Sequence, residues 1–496
     1  MEPSAGYERL SKLDETFLSF ETPTTYMHVA LTGIFEPGSL ATRTGGVDVA
    51  RIRKHIAARL HLVPRYRQRL GVVPVVNDAI WVDDDRFDLR FHVRHASLPR
   101  PGSDAQLRVR CAEILEQPLD RSRPLWEMWV IEGLAHRCFA LLTKVHHCVV
   151  DGIAGMGILA ALFGFDPQEA SGRPQPWRPR PVPEGARLLR DEVVRRTGRF
   201  LALGRSLREG SGGVDGVRTA AARVSSLVSL LSNGLRRPSP CPFNGTVGPH
   251  RRVAWTSLAL EDVKAAGRSA GGTVNDAVLA TVGGALQRYL GRKGHVPDTI
   301  KVAVPASVRG RSEGAEAGNR VSVLVIDLPI VAPDDRARLE RICDITATLR
   351  ATDQRQGAVV LTQAAEWTSG HIVHAAARLL SRASPYNLIV TNVPGPPLPL
   401  YLLDAPMVAA YPHLPLFEHQ GLGIALVSYA GRIYVGLTGE WDLAADVDEF
   451  VVDLGAAFEA LRPLSARPSA GAAAKAGGDP SVASIEATAP TAHVHP

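Results

Sequence analysis

Two adjacent histidines, His146 and His147, lie in the run Lys144-Val145-His146-His147-Cys148-Val149-Val150-Asp151-Gly152. An imidazole base, a nearby carboxylate and a flexible glycine are parts that a proton-transfer site needs. His147 is the candidate general base, since an imidazole can take a proton from an attacking group near neutral pH. Adjacent residues at a strand end point to opposite faces, so His146 is expected to support its neighbour rather than share its substrate. Asp151 has two open readings. It orients His147 as in a triad, or it pairs with an arginine and braces the loop, and the second is favoured. Gly152 permits an unusual backbone angle or leaves room for a substrate passage. Cys148 is read as a small apolar filler in preference to a nucleophile. His147 and Asp151 stand four apart, as metal ligands on a helix would. The apolar, β-rich residues before them argue against a helix, and with no third ligand apparent no metal is expected.

The elements that must hold these groups can be read from hydrophobic period. Cys138 to Val145 and Glu127 to Glu132 are strand-like runs, the first leading straight into His146. The motif therefore falls where a strand ends, a rigid support for reactive groups. Val49 to Leu62 and Ala105 to Glu116 read as helices, the former stopped by Pro64. Asn275 and Asp276 follow Thr273, a candidate N-cap for a helix reaching Leu290. An Asn amide there either caps the helix or donates to an oxyanion. Further strands are expected at Ile300 to Pro305, Val321 to Leu328, Leu388 to Asn392, Gly423 to Ser428 and Ile433 to Leu437.

At 496 residues, with 45% hydrophobic and 21% charged residues, the chain reads as globular with two or more domains. The five cysteines form no C-x-x-C pair, which argues against a disulfide framework or zinc knuckle. No membrane-spanning run and no signal pattern is apparent, so a cytoplasmic location is expected, with peripheral contact at the inner membrane or lipid inclusions left open. The net charge of +6 is uneven: Ser171 to Arg237 holds 14 Arg against 5 acidic residues. Within it, Ala186 to Arg208 mixes Arg with Leu188, Leu189, Val193, Val194, Phe200, Leu201 and Leu203. This segment is either a solvated connector helix or a helix lying on anionic lipid. Nucleic acid is not expected, as no recognition motif accompanies the charge.

Several separated segments together resemble the bacterial wax ester synthase/acyl-CoA:diacylglycerol acyltransferase family. They are Leu10-Ser11, Asp14, Phe17-Leu18, Glu21 and Met27-His28-Val29, then Leu119 to Glu127 with its Pro124-Leu125-Trp126 element, and the H-H-x-x-x-D-G motif. Gly248 to Arg252, Asn275-Asp276, Gly318 to Val321 and Thr391-Asn392-Val393-Pro394-Gly395-Pro396 complete the set. The likeness runs from about residue 7 to 461. Cys148 stands where the family commonly carries Ala, and the C-terminal tail has no family counterpart. The resemblance implies a mixed α/β fold of two chloramphenicol-acetyltransferase-like lobes, each a mixed sheet with helices, with a substrate tunnel between them. The expected divisions are a first lobe at 1–165, a Pro/Arg-rich, partly helical linker at 166–243, a second lobe at 244–463 and a disordered tail at 464–496. The implied reaction moves an acyl group from acyl-CoA, a co-substrate and not a bound cofactor, to diacylglycerol, a long-chain fatty alcohol, or both. Asn275 and Asp276 would form the second polar site, and Pro124, Leu125, Trp126, Thr391 and Asn392 are candidates to shape substrate pockets. Acylation of another hydroxyl or amine, and a non-catalytic coat on lipid inclusions, are the competing readings.

Overall fold

The computed structural model describes residues 6–150, 152–169, 172–209, 238–307, 321–356 and 385–462. The first half runs β1 (Tyr7–Arg9), α1 (Lys12–Phe20), β2 (His28–Phe35), α2 (Val49–Arg59), β3 (Gln68–Val72), β4 (Ala79–Asp83), α3 (Leu89–His92) and β5 (Val93–Ser97). It continues through α4 (Asp104–Leu115), β6 (Trp126–Glu132), β7 (Phe139–His146), α5 (Gly152–Phe163) and α6 (Gly185–Glu209). The second half holds β8 (Arg251–Ala259), α7 (Leu260–Ser269), α8 (Val274–Arg292), β9 (Thr299–Ser307), β10 (Val321–Pro329) and α9 (Asp335–Gln356). It ends with β11 (Leu388–Pro394), β12 (Tyr401–Leu402), β13 (Ala405–His413), β14 (Leu422–Tyr429), β15 (Arg432–Glu440) and α10 (Val447–Leu461).

Two six-stranded sheets organise two lobes, in the orders β12-β13-β2-β7-β6-β5 and β10-β9-β11-β14-β15-β8, with β1-β4-β3 as a small third sheet. Both large sheets are mixed: β5 runs parallel to β6, and β11 parallel to β9 and β14. Sheet membership crosses the chain. β13, from the second half, pairs antiparallel with β2, Tyr411 standing opposite Thr32.

The central strand of the first sheet explains where the histidines fall. Every residue of β7 is buried, and its side chains alternate between two cores. Phe139, Leu141 and Val145 join the cluster of Phe35, Ile56 and Leu162, whereas Ala140 and Leu142 face α4. Lys144 follows that second face: its ammonium donates to the carbonyls of Ile114 and Gln117, both at 3.0 Å. His28 on β2 donates from Nε2 to Leu115 C=O at 2.9 Å. The last carbonyls of α4, which lack partners within the helix, are thus met by donors from the sheet.

α4 also joins the lobes. Leu107 and Cys111 pack with Val253 and Trp255 of β8. Trp255 Nε1 donates to Asp104 at 2.9 Å, and Glu116 accepts from Arg251 N–H at 2.8 Å. The second lobe packs α7, α8, α9 and α10 on its sheet around Val278, Leu286, Ile424 and Phe450. α8 begins with a capping box in which Thr273 and Asp276 exchange bonds.

The basic segment forms α6, and its faces differ from the packing that apolar spacing suggests. Among the side chains of α6 whose burial is described, Leu188 and Glu192 are the buried ones, while Val193, Val194 and Leu201 are 57%, 66% and 59% exposed. Glu192 is kept buried by Arg9 and Arg196, both at 2.6 Å, and by Arg195. A buried carboxylate held by three cations, not the apolar stripe alone, sets the side of the helix that docks.

Candidate active site

β7 ends at His146, but pairing with the segment that leads into β2 continues one residue further. His147 N–H donates to Met27 C=O at 2.7 Å. The His147 ring is half-buried and lies flat on Phe17 of α1, centroids 4.0 Å apart and planes at 12°. Phe20, one turn on, meets Phe417 of the second lobe edge-on at 5.8 Å. α1 therefore bridges the histidine and the second lobe, capped at its start by Ser11, which accepts from Asp14 N–H.

His146 is enclosed, with 1% of its surface exposed. Cys148 N–H donates to its Nδ1 at 3.1 Å, which makes Nδ1 an acceptor. The ring proton then sits on Nε2 and points at Glu21 Oε1, 3.1 Å away. Glu21 Oε1 also accepts from Met27 N–H at 2.9 Å, while Oε2 takes Arg121 at 2.5 Å. Burial pushes the Glu21 carboxyl up, but the hydrogen bonds it accepts from His146, Arg121 and the Met27 N–H outweigh it and hold the group at about 2.

Cys148 faces an apolar cluster of Leu10, Trp81, Leu119 and Leu125. Its Sγ lies 2.9 Å from His146 Nδ1, yet burial raises the thiol well above its ordinary value. A thiol so raised is not a thiolate at neutral pH and is a poor nucleophile. Asp151 lies outside the described residues. Gly152 is the first residue of α5.

The Pro-Leu-Trp element lies beside this loop, and its members are buried. Leu125 C=O accepts from His146 N–H at 3.0 Å. Trp126 is 1% exposed. It stacks between Tyr66 and His92, both with centroids at 4.6 Å, and its Nε1 donates to Tyr66 C=O at 2.8 Å. Thr391 and Asn392 are half-buried on β11, opposite Ala425 and Leu426 of β14. The end of β11 meets α5: any side chain at Gly395 would collide with Ser428 C=O and press on Met156. The structure thus brings this element against the helix that follows the histidines.

Asn275 and Asp276 lie in the second lobe, in the first turn of α8. Asn275 is half-buried. The Asp276 carboxylate accepts from Thr273 N–H at 2.7 Å, Thr273 Oγ1 at 2.8 Å and Thr346 Oγ1 at 2.7 Å. Those bonds fix the helix start and its junction with α9.

Sequence reasoning gave Glu21 and Phe17 no role. One signal for Glu21 is local. It is the C-cap of α1, where the helix dipole disfavours an anion, so an acid there needs cationic or N–H partners from elsewhere. Among the described residues no group of three His, Cys, Asp or Glu is arranged to hold a metal. No described helix is long and apolar enough to cross a membrane.

Comparison with known proteins agrees with this geometry. Residues 10–278 match the model of the wax ester synthase/diacylglycerol acyltransferase catalytic domain, and residues 317–462 match the C-terminal domain of the same family. A putative diacylglycerol O-acyltransferase of Mycobacterium tuberculosis is 33% identical over 467 residues, covering 89% of this chain and 88% of that one. A probable diacylglycerol O-acyltransferase of the same species is 31% identical over 464 residues, covering 92% and 96%. In fold, the chain is similar to a wax ester synthase/diacylglycerol acyltransferase from Marinobacter aquaeolei, with a TM-score of 0.65 at 24% identity over 91% of this chain and 98% of that one. It is also similar to a trichothecene 15-O-acetyltransferase from Fusarium sporotrichioides, with a TM-score of 0.58 at 14% identity over 92% and 95%. The two-lobed mixed α/β fold is shared with both. The chain belongs to the wax ester synthase/diacylglycerol acyltransferase family and is an O-acyltransferase.

Proposed function

We propose that this enzyme transfers a fatty acyl group from acyl-CoA to the hydroxyl of diacylglycerol, a long-chain alcohol, or both, with His147 as general base. The observation that carries the reading is the contrast between the paired histidines. His146 is enclosed and spends its ring atoms on Cys148 and Glu21. His147 is half-buried and held by Met27 C=O and Phe17. As the alcohol oxygen attacks the thioester carbon, the imidazole takes the hydroxyl proton. The tetrahedral intermediate collapses, the C–S bond breaks, and the departing sulfur recovers that proton from the imidazolium. No acyl-enzyme is needed, in keeping with the buried, raised thiol of Cys148.

In this reading His146 and Asp151 support the loop, and Gly152 starts α5 without a side chain beside the base. Asp276 holds the start of α8, which leaves Asn275 as the polar group there for a substrate oxygen. Leu125 and Trp126 back the histidine strand, and Thr391 and Asn392 line the approach along α5. Purified protein given labelled palmitoyl-CoA with diacylglycerol or hexadecanol should form labelled ester, and His147→Ala should lose it. No ester from either acceptor, or full activity in a folded His147→Ala protein, would defeat the reading.

The outward face of α6 favours peripheral contact with an anionic lipid surface. Val193, Val194 and Leu201 are exposed on α6, as is Arg190, whose side chain is 73% exposed and lies 3.6 Å from Asp191. Exposed apolar groups among arginines suit a lipid–water boundary. Flotation with anionic liposomes should weaken when Val193, Val194 and Arg190 are replaced by Gln; unchanged flotation would remove α6 as the contact.

A further inference from the structure

We propose that Glu21 is a positioning residue for the proton-transfer step: its Oε1 atom joins the segment that leads into β2 to His146, and so fixes the loop that carries His147. The inference rests on His147 as the general base. One oxygen takes two donors, the Met27 N–H at 2.9 Å and the His146 Nε2–H at 3.1 Å. The same Met27 residue offers its C=O to His147 N–H at 2.7 Å. Met27 is thus held at its N–H by Glu21 while its carbonyl holds His147. His146, the other donor to Glu21, is the covalent neighbour of His147 and accepts from Cys148 N–H on its far side. Both chain segments flanking the base converge on one carboxylate oxygen.

Glu21 also terminates α1, the helix that carries Phe17 onto the His147 ring. Losing the acceptor would free the end of that helix, the Met27 segment and the His146 ring together. Arg121 binds the other oxygen, Oε2, and its side chain is half exposed. It balances the charge from the solvent side, whereas the two inner bonds set the geometry. What the loop needs is an acceptor atom at the Oε1 position, and the negative charge is secondary.

That distinction is testable because two conservative replacements divide it. Glu21→Gln keeps a carbonyl oxygen at the same reach and gives up the charge. Glu21→Asp keeps the charge and draws the acceptor back by one methylene. A misplacement of about 1 Å can cost about 100-fold in rate. Glu21→Asp and Glu21→Ala should therefore lower kcat about 10- to 100-fold, with KM for acyl-CoA within about twofold of wild type, since the lost interaction acts on the reacting geometry. Glu21→Gln should keep kcat within about fivefold of wild type, the loss of one charged pair at a half-exposed arginine being small. Combining Glu21→Asp with His146→Ala should be no worse than the poorer single variant, because both break one connection.

A turnover-independent readout separates this inference from the assignment of activity. Carbethoxylation of His147, followed by peptide mass mapping, should be faster in Glu21→Asp than in wild type and Glu21→Gln. If wild type forms no ester, the functional reading fails while the labelling comparison still decides whether Glu21 orders the loop. Should Glu21→Ala not fold, the ranking of Gln over Asp carries the test. Wild-type kcat in Glu21→Asp, a Gln variant as impaired as Asp, losses that multiply in the double variant, or equal labelling rates would each overturn the proposal.

Discussion

Trp126 separates packing from substrate binding more cleanly than any other residue near the histidines. Its indole is sandwiched by Tyr66 and His92, is 1% exposed, and donates to Tyr66 C=O at 2.8 Å. Trp126→Phe keeps an aromatic ring but removes that donor and the outer part of the stack. An acceptor left buried without its partner costs about 1–3 kcal/mol, and weakened stacking adds about 0.5–1.5 kcal/mol. The variant should lose about 1.5–4.5 kcal/mol, a large share of the roughly 5–15 kcal/mol that holds a typical domain. Urea titration followed by tryptophan fluorescence and circular dichroism should show a clearly lower midpoint. Esterification measured well below that midpoint should show KM values for acyl-CoA and the acceptor within about twofold of wild type, since only uniform substrate binding would move them alone. An unchanged midpoint with a several-fold rise in either KM would refute the argument and place the indole against substrate.

Phe17→Ala should lower kcat about 3- to 10-fold, since an aromatic stack is worth about 0.5–1.5 kcal/mol in holding a ring; unchanged kcat in steady-state assays would show that the stack does not orient His147. Cys148→Ser should retain activity to within about tenfold, whereas a covalent nucleophile would lose several orders of magnitude; trapping and mass analysis of an acylated Cys148 would also reverse the assignment. Glu21 contributes an acid-sensitive term to stability. Its carboxyl is held at about 2 against an ordinary 4.5, facing Arg121 and His146 with His28 and Cys148 nearby. A depressed carboxyl stabilises the fold above its unfolded value and loses that contribution as pH falls through the folded one. That contribution should therefore be fully present above roughly pH 4.5 and fade as pH falls toward about 2. Glu21→Gln should flatten the urea midpoint between pH 5 and 3 relative to wild type; parallel curves would refute the shift.

The site was legible where unusual residue types interrupt an apolar run, and illegible where ordinary residues arrive from a distance. The strand of β7 follows from Phe139 to Val145, and the cap at Thr273 follows from spacing alone. The period of an apolar run also tells a strand from a helix. It does not name the partner strand, so nothing in Ala405–His413 announced that β13 would complete the first sheet beside β2. The α6 faces were hidden for another reason. Apolar spacing suggests a buried stripe, but Glu192, with three arginines around it, takes an inward position that Val193 and Val194 do not share. A sequence rule that places carboxylates outside fails when cations from the helix and from β1 converge on one of them. Glu21 repeats that pattern beside the histidines. Its partners come from Met27, Arg121 and His146, which are far apart in the chain and meet only because β2 pairs with β7 and the 119–125 segment leads into β6. The reactive imidazole can be named from a motif because its chemistry belongs to its own side chain. Its orientation belongs to contacts between segments, and those exist only once the sheet has fixed their order and register.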